Sequence, residues 1–432
     1  MAAAQTAEKH PPGLFVLFAT EMWERFSFYS MLAMFTLYLR DTTGQGFGWT
    51  SDRATGLYAN YLMCVYASPL IGGWIADRGL GYRRSVMIGG VFFMAGHLLL
   101  SFPSIPIVYA ALACLVIGNG FFKPNVSAMV GNLYPEGSHL KDRAYNIFYM
   151  GINVGAFLAP IAAEFVKSRW GFHPAFAMAA VGMLISVTIL WRFKRHVMHA
   201  DTRAQAAATA PQPIDSVPTP LRIGALIVIY LIVIVFWMVF HQNGSTLTYW
   251  ANENTAWNVT GIISNAINPG WVLLLTFPLV AFWRWLDSRG REPSTPTKMA
   301  IGMFCTAAAF LVMFLAAKTG EASLAPGAAP YAYKVSWLWL VGAYGVLTAG
   351  ELMLSPMGLS LVSKVAPAKH RGIMMGGWFV ATAIGNKLTQ IGQLWDDMPH
   401  SSFWLLLSGA AAFMAVVLLL LLKPLKKAMP GI

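Results

Sequence analysis

Apolar blocks long enough to cross a bilayer recur twelve times along this chain, and that recurrence constrains the fold more than any other feature. The blocks run near 14–39, 54–76, 85–103, 105–133, 144–166, 174–191, 223–250, 258–283, 299–317, 335–363, 372–395 and 402–422. A helix needs about 20 apolar residues to cross the hydrocarbon layer. Lipid offers no hydrogen bonds, so a spanning backbone must satisfy its own polar groups. The expected fold is therefore an all-α polytopic membrane protein with twelve transmembrane helices. Only 11% of residues are charged, against about 25% in soluble domains, which excludes a soluble enzyme with one anchor. Three blocks carry interruptions: Gly118, Gly120, Lys123 and Pro124; Asn265, Asn268 and Pro269; Gly376, Gly377, Gly385 and Lys387. Such breaks are tolerated where neighbouring helices or a wet cavity satisfy the backbone. The first block holds Glu21, Glu24 and Arg25, unlike the core of a cleavable signal peptide, so none is expected.

Charge orients the spans. With the N-terminus inside, the cytoplasmic segments hold 21 Lys and Arg, the external loops six, and the spans Arg25, Lys123 and Lys387. That bias predicts cytoplasmic termini and a plasma, or inner, membrane location. The net charge of +12 is spread thinly between apolar runs, so the expected partner is the lipid bilayer and not nucleic acid. Cys64, Cys114 and Cys305 lie apart inside apolar stretches, which excludes a disulfide scaffold or a paired-cysteine metal site.

Residues 196–220 are rich in Ala, Pro and Thr and read as a cytoplasmic linker. They divide the chain into six-helix bundles at 1–195 and 221–432, and the halves repeat. The loop GGWIADRGLGYRR after the second span matches FWRWLDSRGREP after the eighth. Pro124 is followed by Pro135 as Pro356 is by Pro367, and Asn153 and Asn386 follow at nearly the same offset. Repeated six-helix halves mark secondary transporters with a midplane site between them.

Charges inside spans are costly and point to function. Glu21 and Arg25 stand one turn apart and share a face, with Glu24 beside them. Two carboxylates sharing one guanidinium let one acid take a proton at modest electrostatic cost, so a proton site is expected. A buried ion cluster that merely orients helices is the structural alternative. The repeat aligns Lys123 with Ser355, one turn after Glu351. The fourth and tenth spans would then set a positive wall against a negative one, a cavity that a zwitterion bridges. An extended di- or tripeptide, at about 3.3–3.6 Å per residue, suits that gap.

These residues resemble the proton-dependent oligopeptide transporters of the major facilitator superfamily, bacterial type. The family pattern ExxERFxYY stands as Glu21, Glu24, Arg25, Phe26, Phe28 and Tyr29. GNGFFKPNVSAMVGNLY places Lys123 at the family lysine, and FYMGINVGAFLAP, FWMVFHQNGSTLT, NAINP and GELMLSPMGLSLVSKVAP follow. The resemblance implies a major facilitator fold and proton-coupled import of di- and tripeptides by alternating access. The transporter would be monomeric, free of cofactor, metal and enzymatic activity, and driven by the proton electrochemical gradient. By analogy Arg25 and Lys123 receive the peptide carboxylate, and Glu351 with Asn153 and Asn268 the amino terminus. Tyr29, Tyr66 and Trp378 shape side-chain pockets, with Ser355 lining the same site. Glu21, Glu24, Arg25 and Lys123 couple protons.

The chain departs from the family in places. Phe28 removes one hydroxyl of the tyrosine pair. Leu32 and His241 stand where many members carry the arginine and glutamate of an external gate. His241 could take over proton coupling, since imidazole titrates near neutrality; a hydrogen-bonded cavity histidine is the plainer role. An anion carrier of the related plant branch, a polytopic membrane enzyme and a channel are the competing classes. Glu351 argues against the first, the scattered histidines against the second, and the two-half repeat against the third.

Overall fold

The computed structural model describes residues 10–135, 140–201, 217–329, 331–367 and 371–429. Its long helices are α1 (Pro12–Arg40), α2 (Ser51–Ile75), α3 (Tyr82–Leu99), α4 (Ile105–Asn132), α5 (Leu140–Trp170) and α6 (Phe172–Arg192). In the second half come α7 (Thr219–Phe240), short α8 (Thr246–Glu253), α9 (Ile267–Asp287), α10 (Thr295–Ala322), α11 (Trp337–Val365), α12 (Arg371–Leu388) and α13 (His400–Ala428). With α7 and α8 as one broken rod, these make the twelve spans of a major facilitator fold. Among the described residues, eight helical segments are apolar and long enough to cross a membrane by length and composition alone. Of the linker at 196–220, residues 202–216 lie outside the described residues.

Tight one-to-two-turn segments interrupt three spans: His241–Gly244 between α7 and α8, Gly261–Ala266 before α9, and Thr389–Asp396 after α12. A two-residue parallel strand pair, Thr255–Ala256 against Val335–Ser336, adds the one β element among the described residues. The loop after α2 turns at Gly79 and Gly81, with φ of 142° and 80°, values that favour glycine. There Asp201 accepts from the Arg83 backbone N–H at 2.7 Å and caps α3.

The contacts fall into two compact units: Met1–Tyr29, Ser68–Ala156 and Phe176–Ala208 form one, and Ser30–Ala67, Phe157–Ala175 and Thr209–Ile432 the other. The second unit thus includes the C-terminal end of α1, most of α2, the C-terminal part of α5 and the first turn of α6 together with α7–α13. Each unit contains the same glycine contact. In the first, a Cβ on Gly118 of α4 would stand 2.9 Å from the Gly89 carbonyl of α3. In the second, a Cβ on Gly350 of α11 would stand 2.6 Å from the Gly302 carbonyl of α10. Gly118 and Gly350 occupy the same place relative to Pro124 and Pro356, so the repeat extends to helix packing. Small residues let helices approach where lipid supplies no hydrophobic drive.

Candidate substrate and proton site

In the first unit α1 buries three charges on adjoining faces. Glu21, Glu24 and Arg25 are 1%, 0% and 3% exposed. Arg25 Nη2 donates to Glu24 Oε1 at 2.6 Å, and Arg25 Nε donates to Glu24 Oε2. Glu21 Oε1 lies 3.3 Å from Arg25 Nε. The guanidinium also rests over the Phe28 ring, 5.0 Å from its centroid. Glu21 Oε2 is buried with no hydrogen-bond partner among the described residues. Lys123 of α4 is close enough for Arg25, Glu21 and Glu24 to act on its charge. Fully ionised, these four groups sum to zero. Gly155 permits the arrangement: the backbone of α5 presses on the Met22 carbonyl of α1, leaving no room for a Cβ.

Tyr29 acts electrostatically on Arg25 and sets its ring edge-on to Phe28 at 5.3 Å. Asn153 is buried on α5, where its amide donates to the Tyr149 carbonyl at 2.9 Å.

In the second unit Glu351 of α11 meets neutral partners. Its Oε2 accepts from Asn268 Nδ2 at 2.8 Å. The same amide reaches Thr348 Oγ1 at 2.9 Å, and that hydroxyl donates to the Tyr344 carbonyl at 2.7 Å. Among the described residues no cation pairs with Glu351. Trp271 Nε1 donates to the Val341 carbonyl at 3.0 Å and ties α9, which carries Asn268, to α11. Ser355 follows Glu351 by one turn, and the Trp378 indole of α12 covers Gly358 one turn further. Tyr66 and His241 come together, edge to face at 5.5 Å, while Trp237 stacks on the imidazole at 5.0 Å. Tyr58 also donates to the His241 carbonyl at 3.3 Å.

Leu32 is buried and carries no charge to the gate. The ends of α1, α2 and α5 are held to the second half by other contacts. Arg40 Nη1 pairs with Glu253 Oε1 at 2.7 Å, its guanidinium 4.1 Å above the Tyr249 ring. Thr36 donates to the Gly244 carbonyl at 2.9 Å, Lys387 to Asn60, and Gln393 to the Asp52 carbonyl at 3.0 Å. A cavity of about 410 Å³ opens there, with Arg40, Lys167, Glu253 and Asp396 on its walls. Sequence reasoning missed Thr348, although it precedes Glu351 by three residues on one face. It also missed Arg40–Glu253, whose 213-residue separation leaves no local signal.

A repeated twelve-span helical fold with ionisable groups buried along its helices defines a membrane transporter of the major facilitator class. The chain belongs to the POT family, whose sequence signature matches residues 83–212 and 216–401. It is 32% identical to the uncharacterized transporter YclF of Bacillus subtilis, over 98% of this chain and 96% of that one. It is 29% identical to a di-/tripeptide transporter of Lactococcus lactis subsp. cremoris, over 97% and 96%. It is 28% identical to dipeptide and tripeptide permease A of Escherichia coli, over 88% and 83%. Among solved structures it superposes on a peptide transporter POT in complex with sulfate, with a TM-score of 0.86, 27% identity and coverage of 98% and 96%. A mutant of a peptide transporter POT in complex with alafosfalin gives the same TM-score at 29% identity, with coverage of 98% and 96%.

Proposed function

We propose that this protein is a proton-coupled symporter importing di- and tripeptides by alternating access. The observation that carries the reading is the charge-balanced cluster of buried Glu21, Glu24 and Arg25 with half-buried Lys123. A peptide carboxylate that takes Arg25 and Lys123 as partners brings a fifth charge into that cluster. The two acids then outnumber the cations left to them, and one must accept a proton. Glu21 suits that role, because its Oε2 is buried without a partner. Carboxylate binding and protonation thus favour each other, which is what coupling requires. These groups titrate as one set, not as separate sites.

Glu351 supplies the complementary need. Held by an amide, it gains a counter-charge when a peptide ammonium arrives, with Asn268 and Asn153 completing the amino-terminal pocket. Tyr29, Tyr66, Ser355 and Trp378 line the side-chain pockets. His241 lies against the Tyr66 and Trp237 rings, and an imidazole at that place supports a part in proton transfer. The substrate class follows relatives named as di-/tripeptide transporters. The charge bias places both termini in the cytoplasm of a bacterial inner membrane and makes the Arg40–Glu253 end external. The halves 1–195 and 221–432 act as the rocking bundles of a monomer, joined by 196–220.

The test is uptake of labelled dialanine into liposomes containing the purified protein, under an inward proton gradient with negative potential inside. Concentrative uptake that vanishes with an ionophore is expected. Exchange without accumulation overturns the coupling roles. Nitrate uptake without peptide uptake moves the chain to the anion branch.

A further inference from the structure

Glu164 is an ionisable residue of α5 that the carrier reading leaves unused. Its Oε1 accepts from the Thr260 backbone N–H at 2.9 Å, and its Oε2 accepts from the Thr260 hydroxyl. Thr260 is the residue before the tight turn Gly261–Ala266, which leads directly into α9 and Asn268. α8 grips the same turn from another side. Asn252 Oδ1 accepts from the Gly261 N–H at 3.1 Å, and Asn265 donates to Thr248 Oγ1 at 2.9 Å. Gly261 lies so close to the Thr248 carbonyl that a Cβ has no room. Two turns earlier on the same stripe of α5, Phe157 faces Gly270 of α9, where a Cβ would stand 3.2 Å from Phe157 Cε2. Among the described residues α5 meets this span at Phe157 and at Glu164, and Glu164 supplies the polar bond.

We propose that Glu164 and Thr260 form a latch that closes the external side and parts in every transport cycle, making Glu164 a positioning residue for the α9 end of the substrate site. The proposal rests on the alternating-access reading. Opening outward requires the external part of α5 to leave the second half. When it leaves, the bonds between the two Thr260 donors and the Glu164 carboxylate are exchanged for bonds to water, and the turn leading into Asn268 loses its hold on α5. The bond uses neutral donors, so glutamine can replace the acid: its carbonyl accepts the N–H and its amide donates to the hydroxyl.

Two measurements test it. The first uses the double variant Glu164→Cys and Thr260→Cys, joined by a short reversible bifunctional thiol reagent and assayed for dialanine uptake. Cross-linking should stop transport, and reduction should restore it; full transport by protein confirmed as cross-linked overturns the latch. Wild-type protein that fails to carry dialanine counts against the peptide reading, and the second measurement then still decides the latch. It reads labelling of Thr260→Cys by an impermeant maleimide, followed by mass at that site so that Cys64, Cys114 and Cys305 do not contribute. Adding Glu164→Ala should raise the labelling rate about tenfold, the shift expected from losing a charge-assisted hydrogen bond, and adding Glu164→Gln should leave it near the starting rate. Equal rates in all three backgrounds overturn the proposal.

Discussion

In the first unit Glu21 and Glu24 are buried against a guanidinium, whereas in the second the half-buried Glu351 accepts from an amide that also reaches a hydroxyl. Both arrangements answer the high cost of placing a carboxylate in a low-dielectric interior. The first answers with charge, so it is sensitive to any further ion that arrives. The second offers its acid neutral groups among the described residues, and the proposed peptide ammonium would bring it a counter-charge. On the proposed function one region exchanges protons against a carboxylate and the other recognises an amine.

Removing the shared cation tests that contrast most severely. Arg25→Ala leaves two buried acids unpaired, a change that costs about 3–5 kcal/mol in comparable buried pairs. Proton-driven uptake should disappear, and the melting temperature in detergent should fall. An unchanged melting curve would show that water already reaches the cluster. Lys123→Ala comes next: gradient-driven accumulation should be lost with a smaller thermal effect, and full uptake would remove Lys123 from carboxylate and proton handling. Glu351→Gln keeps the shape of the second site and a carbonyl for Asn268. Affinity for dialanine should fall about 10–100-fold, as for loss of a charged hydrogen bond, while N-acetylated dialanine is nearly unaffected. Equal losses for both ligands would erase the distinction between the two regions.

The smaller effects sharpen the same comparison. His241 packs against the rings of Tyr66 and Trp237. An ordinary imidazole charges as pH falls through about 6.5. If it titrates in the cycle, wild-type uptake rises on the acid side of that value and His241→Ala flattens the rise. An identical pH profile would leave it a packing residue. Arg40→Ala should change least, since Arg40 and Glu253 are 20% and 38% exposed and such pairs contribute about 0–1 kcal/mol. A modest rise in external labelling is the expected sign, and high salt should mimic it.

The span positions were legible in the sequence because lipid enforces them. The first span expected near 14–39 is α1 at Pro12–Arg40, and the fourth, near 105–133, is α4 at Ile105–Asn132. The local pairing of Glu21 with Arg25 was legible for the same kind of reason, since helical spacing decides it. The breaks at His241–Gly244 and Gly261–Ala266 were not. They depend on groups far along the chain, such as Tyr58 lying against Gly244 and Glu164 holding Thr260. The grouping of residues 30–67 and 157–175 with the second half was equally hidden. A chain that alternates between conformations encodes both, and composition does not say which one is populated.

The contact between Gly350 and Gly302 has a mechanical consequence. Glu351 follows directly on a backbone pressed against α10, so it cannot slide along that helix without separating the pair. α10 and α11 behave as one beam, and any tilt that brings the acid toward a ligand must carry α10 with it. Adding a single methyl group at Gly350 would wedge the beam apart and retune the carrier without touching a charge.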